Sequence, residues 1–324
     1  MLIKHLVLPG GGPVFFTQIS TLQQLEKKKI LIRENIKTIF ATSGGCVSGV
    51  LYALSIKHEI LNNYLIERHW QDLFTIKPKN MMEIYYKKGL LDIYSIYRKG
   101  FKSLFEIKDL NLNINLEDFY NFCGIEINFI TFDLNEFKIL IINHKNYPKL
   151  ELLKVLSMSS AIPLLYYPIF LDNKCLIDGG ITSNYPLQLC VNYLCENSKY
   201  NEIVNILGLK NHYYQNNNNN IIINSNENNI SNNISNINEN SNLMNYLILI
   251  IRKVFQSLNN NEDFNYELVN EVTILCETMT YYSLKNCINN KNTRISLINN
   301  GIQNANEFNE NYNMKLNDIN ICNM

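Results

Sequence analysis

The stretch IKTIFATSGGCVSGVLYAL, residues Ile36 to Leu54, sets one serine between two apolar patterns. Ile36 to Phe40 is a short β-rich run, the length and composition of a buried strand. Beyond the serine, Gly45 to Ile66 carries Val47, Val50, Leu51, Leu54, Ile60, Leu61 and Leu65 at helical spacing. Ser43 therefore stands at a strand-to-helix junction. A nucleophile elbow, G-x-S-x-G, places its serine at such a junction. The residues here are Ala41-Thr42-Ser43-Gly44-Gly45, with alanine at the first glycine position. Alone, the pattern fits either a nucleophile or a small residue in a tight turn.

Upstream, KHLVLPGGG (residues 4–12) is a second short strand, Leu6 to Leu8, ending in three glycines. Pro13 suits the first turn of a helix, where its missing N–H costs nothing. Phe15, Phe16, Ile19, Leu22 and Leu25 continue that helix. Strand, helix, strand, helix in this span implies a βαβ unit and hence a parallel sheet.

Downstream, the Tyr-, Lys- and Leu-rich segment 69–121 reads as a helical cap over one end of the sheet. Two strands joined by a turn at Asp133 to Glu136 are expected over 124–132 and 137–143, a strand pair around a turn at Asp172-Asn173 over 169–177, a further strand over 202–209, and helices over 150–160 and 186–196. Residues 211–242 are dominated by Asn, Ser and Ile, and are expected to form a disordered insert. Helices are expected over 243–258, 267–284 and 293–308, packing back on the core. The expected fold is one α/β domain over residues 3–210 with a mostly parallel central sheet flanked by helices, followed by the insert and the C-terminal helices (243–324).

Bulk properties narrow the class. The 324 residues are 46% hydrophobic, with 29 basic and 29 acidic side chains. That balance argues against a nucleic-acid partner. Eight cysteines without a C-x-x-C pair read as reduced thiols, Cys46 among them as a small buried filler. No signal-peptide pattern stands at the start. The most apolar stretch, Leu243 to Phe255, is short and carries Arg252 and Lys253, so no spanning helix is expected. A cytoplasmic or membrane-peripheral location follows as the expectation.

Three features carry the chemistry: Gly10-Gly11-Gly12 after the first strand, Ser43 after the second, and Asp178-Gly179-Gly180 after a later one. In an open parallel sheet, the C-terminal strand ends gather at one edge, where sites form. A serine hydroxyl needs a base. Acyl transfer also needs donors for the developing oxyanion, and a glycine loop lets backbone amides approach without Cβ obstruction. Of His5, His58, His69, His144 and His212, only His212 follows Asp178 in the chain order of elbow hydrolases, and it borders the low-complexity tract. A Ser–Asp dyad is the more economical assignment. A nucleotide loop would need a lysine after the glycines or a glycine at Phe15, and has neither.

Four segments in order, LVLPGGG (6–12), TIFATSGG (38–45), SMSSAIPLLYYP (157–168) and LIDGGITSNYPL (176–187), resemble the patatin-like phospholipase family across roughly residues 3–210. The resemblance implies a lipid acyl hydrolase acting on phospholipid or other lipid acyl esters, in peripheral contact with membranes, without metal or cofactor. It implies Ser43 as nucleophile, Asp178 as general base and Gly10, Gly11 and Gly12 as oxyanion hole, with Ala41, Gly44, Gly45, Gly179 and Gly180 completing the motifs. The family's glycine loop continues with a basic residue and another glycine, where this chain has Val14 and Phe15. An inactive lipid- or protein-binding relative and an acyltransferase using the same dyad remain open alternatives. Tyr85, Tyr86, Tyr94 and Tyr97 read first as cap residues packed on the core, with lipid head groups as the other option.

Overall fold

The computed structural model describes residues 2–75, 78–217, 220–223, 253–254, 268, 270–277 and 281–322. The chain runs β1 (His5–Leu8), α1 (Phe15–Lys27), β2 (Thr38–Thr42), α2 (Gly44–Ala53) and α3 (His58–Glu67). Next come α4 (Pro78–Lys87), β3 (Gly89–Leu91), α5 (Ile93–Ile107) and α6 (Leu116–Cys123). They lead to β4 (Glu126–Asp133), β5 (Lys138–Ile142), α7 (Leu152–Ser159), β6 (Leu164–Tyr166), β7 (Ile169–Leu171), β8 (Lys174–Asp178) and α8 (Leu187–Glu196). After β9 (Ile206–Asn217) and β10 (Asn220–Ile223) come β11 (Glu271–Glu277) and the helices Tyr281–Asn289 and Lys291–Cys322.

The main sheet has the order β10-β9-β1-β2-β4-β8-β7, with β11 also on β9 and β5 also on β4. Its centre, β11-β9-β1-β2-β4, is parallel. Every residue of β1, β2 and β4 is buried. Parallel strands covered on both faces need such continuous burial, which explains why HLVL and TIFAT do not alternate. The flanking strands β5, β7, β8 and β10 are antiparallel. β7 and β8 form a hairpin whose two turn residues, Asp172 and Asn173, both have positive φ (45° and 64°), as a primed two-residue turn requires.

α1 lies under the long helix Lys291–Cys322, and this accounts for its buried polar side chains. Thr17 Oγ1 donates to Leu297 O at 2.9 Å, and Thr21 Oγ1 to Gly301 O at 3.1 Å.

Several expectations need correction. The helix expected over 45–66 is two, α2 and α3, separated at Ser55, whose φ is +50°. The segment expected to be helical over 267–284 contains strand β11. Val272, Ile274 and Cys276 are buried with Thr273 exposed between them, the two-residue period of a strand. Residues 211–217 and 220–223, assigned to the disordered insert, are paired strand, since β9 runs on to meet β10 and β11. The remainder of the insert, 218–219 and 224–242, lies outside the described residues, as does the apolar stretch 243–258 apart from Lys253 and Val254. Segment 69–121 is mainly helical, but β3 pairs with β6 in a separate two-stranded sheet. Within it Tyr94 and Tyr97 pack on the core as expected, whereas Tyr85 and Tyr86 are exposed. No helix among the described residues is long and apolar enough to cross a membrane. Cys46, Cys123, Cys175, Cys190, Cys195, Cys276 and Cys287 are free thiols.

Candidate active site

β1 and β2 pair with Leu8 opposite Ala41, so the loop Pro9–Gly12 leaves the sheet beside Thr42 and Ser43. Ser43 then turns the chain into α2 with φ 51° and ψ −120°. That backbone is costly for any residue with a side chain, on the order of 1–3 kcal/mol, and persists only where the surroundings hold it. The surroundings here are close-packed backbone. A Cβ on Gly45 would lie 2.3 Å from Leu8 O, so only glycine lets α2 sit this near the end of β1. Ala41, in contrast, is fully buried within the main core, which accommodates its methyl group.

Asp178 arrives by a route that the parallel-sheet argument does not anticipate. β8 is antiparallel to β4 and runs toward the level of the elbow from beyond the sheet edge. Thr42 is opposite Ile130 and Asp178 is opposite the next residue, Thr131, so the two strands finish level with Ser43. A Cβ on Gly179 would lie 2.4 Å from Ile130 O, so glycine is needed where the chain crosses the β4 backbone.

The two side chains meet. Ser43 Oγ donates to Asp178 Oδ2 at 2.5 Å, and Gly180 N–H donates to Asp178 Oδ1 at 2.7 Å. Both residues are buried. Burial pushes the Asp178 carboxyl up to about 6, against the two hydrogen bonds, which pull it down. A carboxyl accepts a proton only when ionised, so any reaction in which Asp178 does so is expected to quicken as pH rises through about 6 and then level off. A pH–rate profile flat from well below that value would contradict this.

The last residue of α7 and the turn that follows it anchor both members of the pair, a role not apparent from the sequence. Ser43 N–H donates to Ser159 Oγ at 3.0 Å, and Ser159 Oγ donates in turn to Ile130 O at 2.5 Å. Two residues on, Ala161 O accepts from Asp178 N–H at 3.1 Å. The signal was present in SMSSAIP, whose match carried no assigned role. Ser159→Ala leaves the Ser43 amide and the Ile130 carbonyl short of this bridge. It is expected to lower unfolding free energy by about 1–3 kcal/mol in denaturant titration.

The glycine loop is braced from two sides. Gly10 N–H donates to Asn184 O at 2.9 Å, and Asn211 Nδ2 donates to Gly10 O at 2.7 Å. Gly10, expected among the oxyanion donors, thus has its amide engaged. Gly11 and Gly12 have no amide acceptor among the described residues, and Gly12 packs on Gly44 beside Ser43. α2 also points its N-terminus into the same space.

Ser43, Gly12 and Gly44 open onto an apolar cavity of about 110 Å³ walled by α2, α5 and the aromatic group Phe15, Phe16 and Trp70. Phe15, standing where a glycine was expected, is therefore part of the cavity wall. None of the five histidines lines it. His5 lies at the far end of β1 with Thr38 and Glu202, and His212 sits in β9 opposite Leu275. Burial pushes the Cys46 thiol up to about 12, which keeps it protonated. Among the described residues no cluster of three or more His, Cys, Asp or Glu could hold a metal ion.

A family profile described as patatin-like phospholipase matches residues 6–191. The chain is 25% identical over 201 residues to "Probable lipid hydrolase 463L" of Invertebrate iridescent virus 6, covering 60% of this chain and 66% of that protein. It is 25% identical over 189 residues to "Uncharacterized protein R571" of Acanthamoeba polyphaga mimivirus, covering 58% of this chain and 61% of that one. The chain thus spans a little under two thirds of these curated relatives. Among solved structures, VipD from Legionella pneumophila shares the fold with a TM-score of 0.51 at 13% identity, over 95% of this chain and 67% of that one.

Proposed function

The chain belongs to the patatin-like phospholipase family, and from that premise we propose that it is a lipid acyl hydrolase of the phospholipase A type. The observation that carries the reading is the 2.5 Å bond from Ser43 to Asp178 at the head of an apolar cavity. A fatty acyl chain fits such walls, while the ester carbonyl sits at their polar end. Asp178 Oδ2 takes the Ser43 proton as Oγ attacks the carbonyl carbon. The developing oxyanion is held by the amides of Gly11 and Gly12 and by the N-terminus of α2; Gly10 braces the loop instead of donating. When the tetrahedral intermediate collapses, Asp178 returns the proton to the departing alcohol or lysolipid. Water, deprotonated by the same carboxylate, then releases the fatty acid and restores Ser43.

The test is release of fatty acid from phosphatidylcholine vesicles, together with labelling by a fluorophosphonate probe. Fatty acid release with the probe on Ser43 is expected. A folded protein that takes up no probe at Ser43 and releases no fatty acid would end the proposal. Adding a primary alcohol to the assay shows whether water or an alcohol is the acyl acceptor.

A further inference from the structure

One helix face has no use in the site and no cover among the described residues. Met82, Tyr85 and Tyr86 recur at i, i+3 and i+4 along α4, the spacing of a buried stripe. They are instead 80%, 83% and 77% exposed. The inward side of α4 is already satisfied, with Ile84 packed against the buried cluster that holds Leu90, Leu91, Ile93, Ile96 and Tyr166. Phe170 of β7, 56% exposed, extends the apolar surface. Two cations stand in it: Lys87 Nζ is 5.5 Å from the Tyr167 ring, and Lys88 Nζ is 5.8 Å from the Phe170 ring. Neither is in an ion pair with a described carboxylate. In sequence, residues 77–88 hold four lysines against the single acid Glu83.

We propose that this face, Met82, Tyr85, Tyr86 and Phe170 with Lys87 and Lys88, docks on an anionic phospholipid bilayer and sets the Ser43 cavity against it. The inference rests on the lipid hydrolase reading above. The patch and the cavity share a wall. β3, which follows α4 directly, pairs with β6, and Leu165 and Tyr166 of β6 line the cavity that holds Ser43. A bilayer bound at the patch is therefore next to the space an acyl chain must enter. The composition favours lipid over a protein partner. Lysine is depleted in protein interfaces, whereas tyrosine and lysine beside apolar side chains suit the head-group layer, where each half of the side chain finds its own solvent.

The experiment separates docking from chemistry. Protein carrying Ser43→Ala, which spares the lipid, is sedimented with vesicles of equimolar phosphatidylcholine and phosphatidylserine, and with phosphatidylcholine alone. Binding is expected to the first and to be weaker to the second. Lys87→Gln with Lys88→Gln should lower binding to the anionic vesicles roughly tenfold or more. Tyr85→Ser with Tyr86→Ser, in the Ser43-containing protein, should slow hydrolysis of vesicle lipid and leave hydrolysis of a water-soluble short-chain ester unchanged. Equal sedimentation of the lysine variant and its parent, no sedimentation of the parent, or equal loss on both substrates in the tyrosine variant would overturn the proposal. Failure of the unaltered protein on the soluble ester would count against the dyad reading instead, and the sedimentation result would still decide the surface.

Discussion

Ser43→Ala is expected to leave a folded protein whose fatty acid release is lower by roughly 10⁴- to 10⁶-fold, the scale seen when a serine nucleophile is removed. In the proposed mechanism Oγ is the atom that forms the acyl bond, and no other described hydroxyl shares its bond to Asp178. Cys46 cannot substitute, since burial pushes its thiol up to about 12. The fold should tolerate the change. Alanine meets the same backbone demand at φ 51° as serine does, and the amide bond to Ser159 does not involve the Ser43 side chain. The unfolding midpoint should therefore stay near that of the parent while activity vanishes. Loss of both together would point to a structural role for Ser43.

Asp178→Asn separates activity from stability in the opposite direction. Turnover is expected to fall by about 10⁴-fold, because an amide cannot accept the Ser43 proton. Stability should rise. The folded carboxyl titrates at about 6 against an ordinary 3.8, so the folded state holds this proton more tightly than the unfolded chain. The stabilisation from that proton is complete below the unfolded value and is lost as pH rises through about 6. Above that point the ionised, buried base costs roughly 3 kcal/mol. Asparagine keeps an oxygen for Gly180 N–H and removes the charge, so its advantage should appear above pH 6 and fade in acid. Urea titrations of parent and variant at both ends of that window measure it. An Asp178→Asn protein no more stable than its parent at neutral pH would show that the carboxylate is not strained by burial.

The elements around Ser43 were legible because their pattern is local. HLVL and TIFAT are apolar throughout, and each is followed by glycines that a close backbone crossing demands. The order of strands was less accessible. Asp178 was expected directly after a strand pair turning at Asp172-Asn173, and that hairpin forms; that β8 also runs antiparallel beside β4 was not legible, because pairing direction depends on partners far along the chain. Ser159 and Ala161 were missed for a related reason: their contribution is hydrogen bonds to Ser43 and Asp178, which no spacing rule encodes. The strand at 271–277 carries its two-residue alternation openly, but it is short and follows an Asn-rich tract, where composition outweighed period.

The antiparallel entry of β8 also decides which changes of length the site can absorb. The hairpin turn at Asp172–Asn173 points away from the elbow, so residues gained or lost there lengthen a surface loop and leave Asp178 in place. One residue inserted within β8 itself would rotate every later side chain to the opposite face of the sheet, and Asp178 with them. Lineages of this protein should therefore vary freely in the length of the hairpin tip, and hold the count from Cys175 to Asp178 fixed.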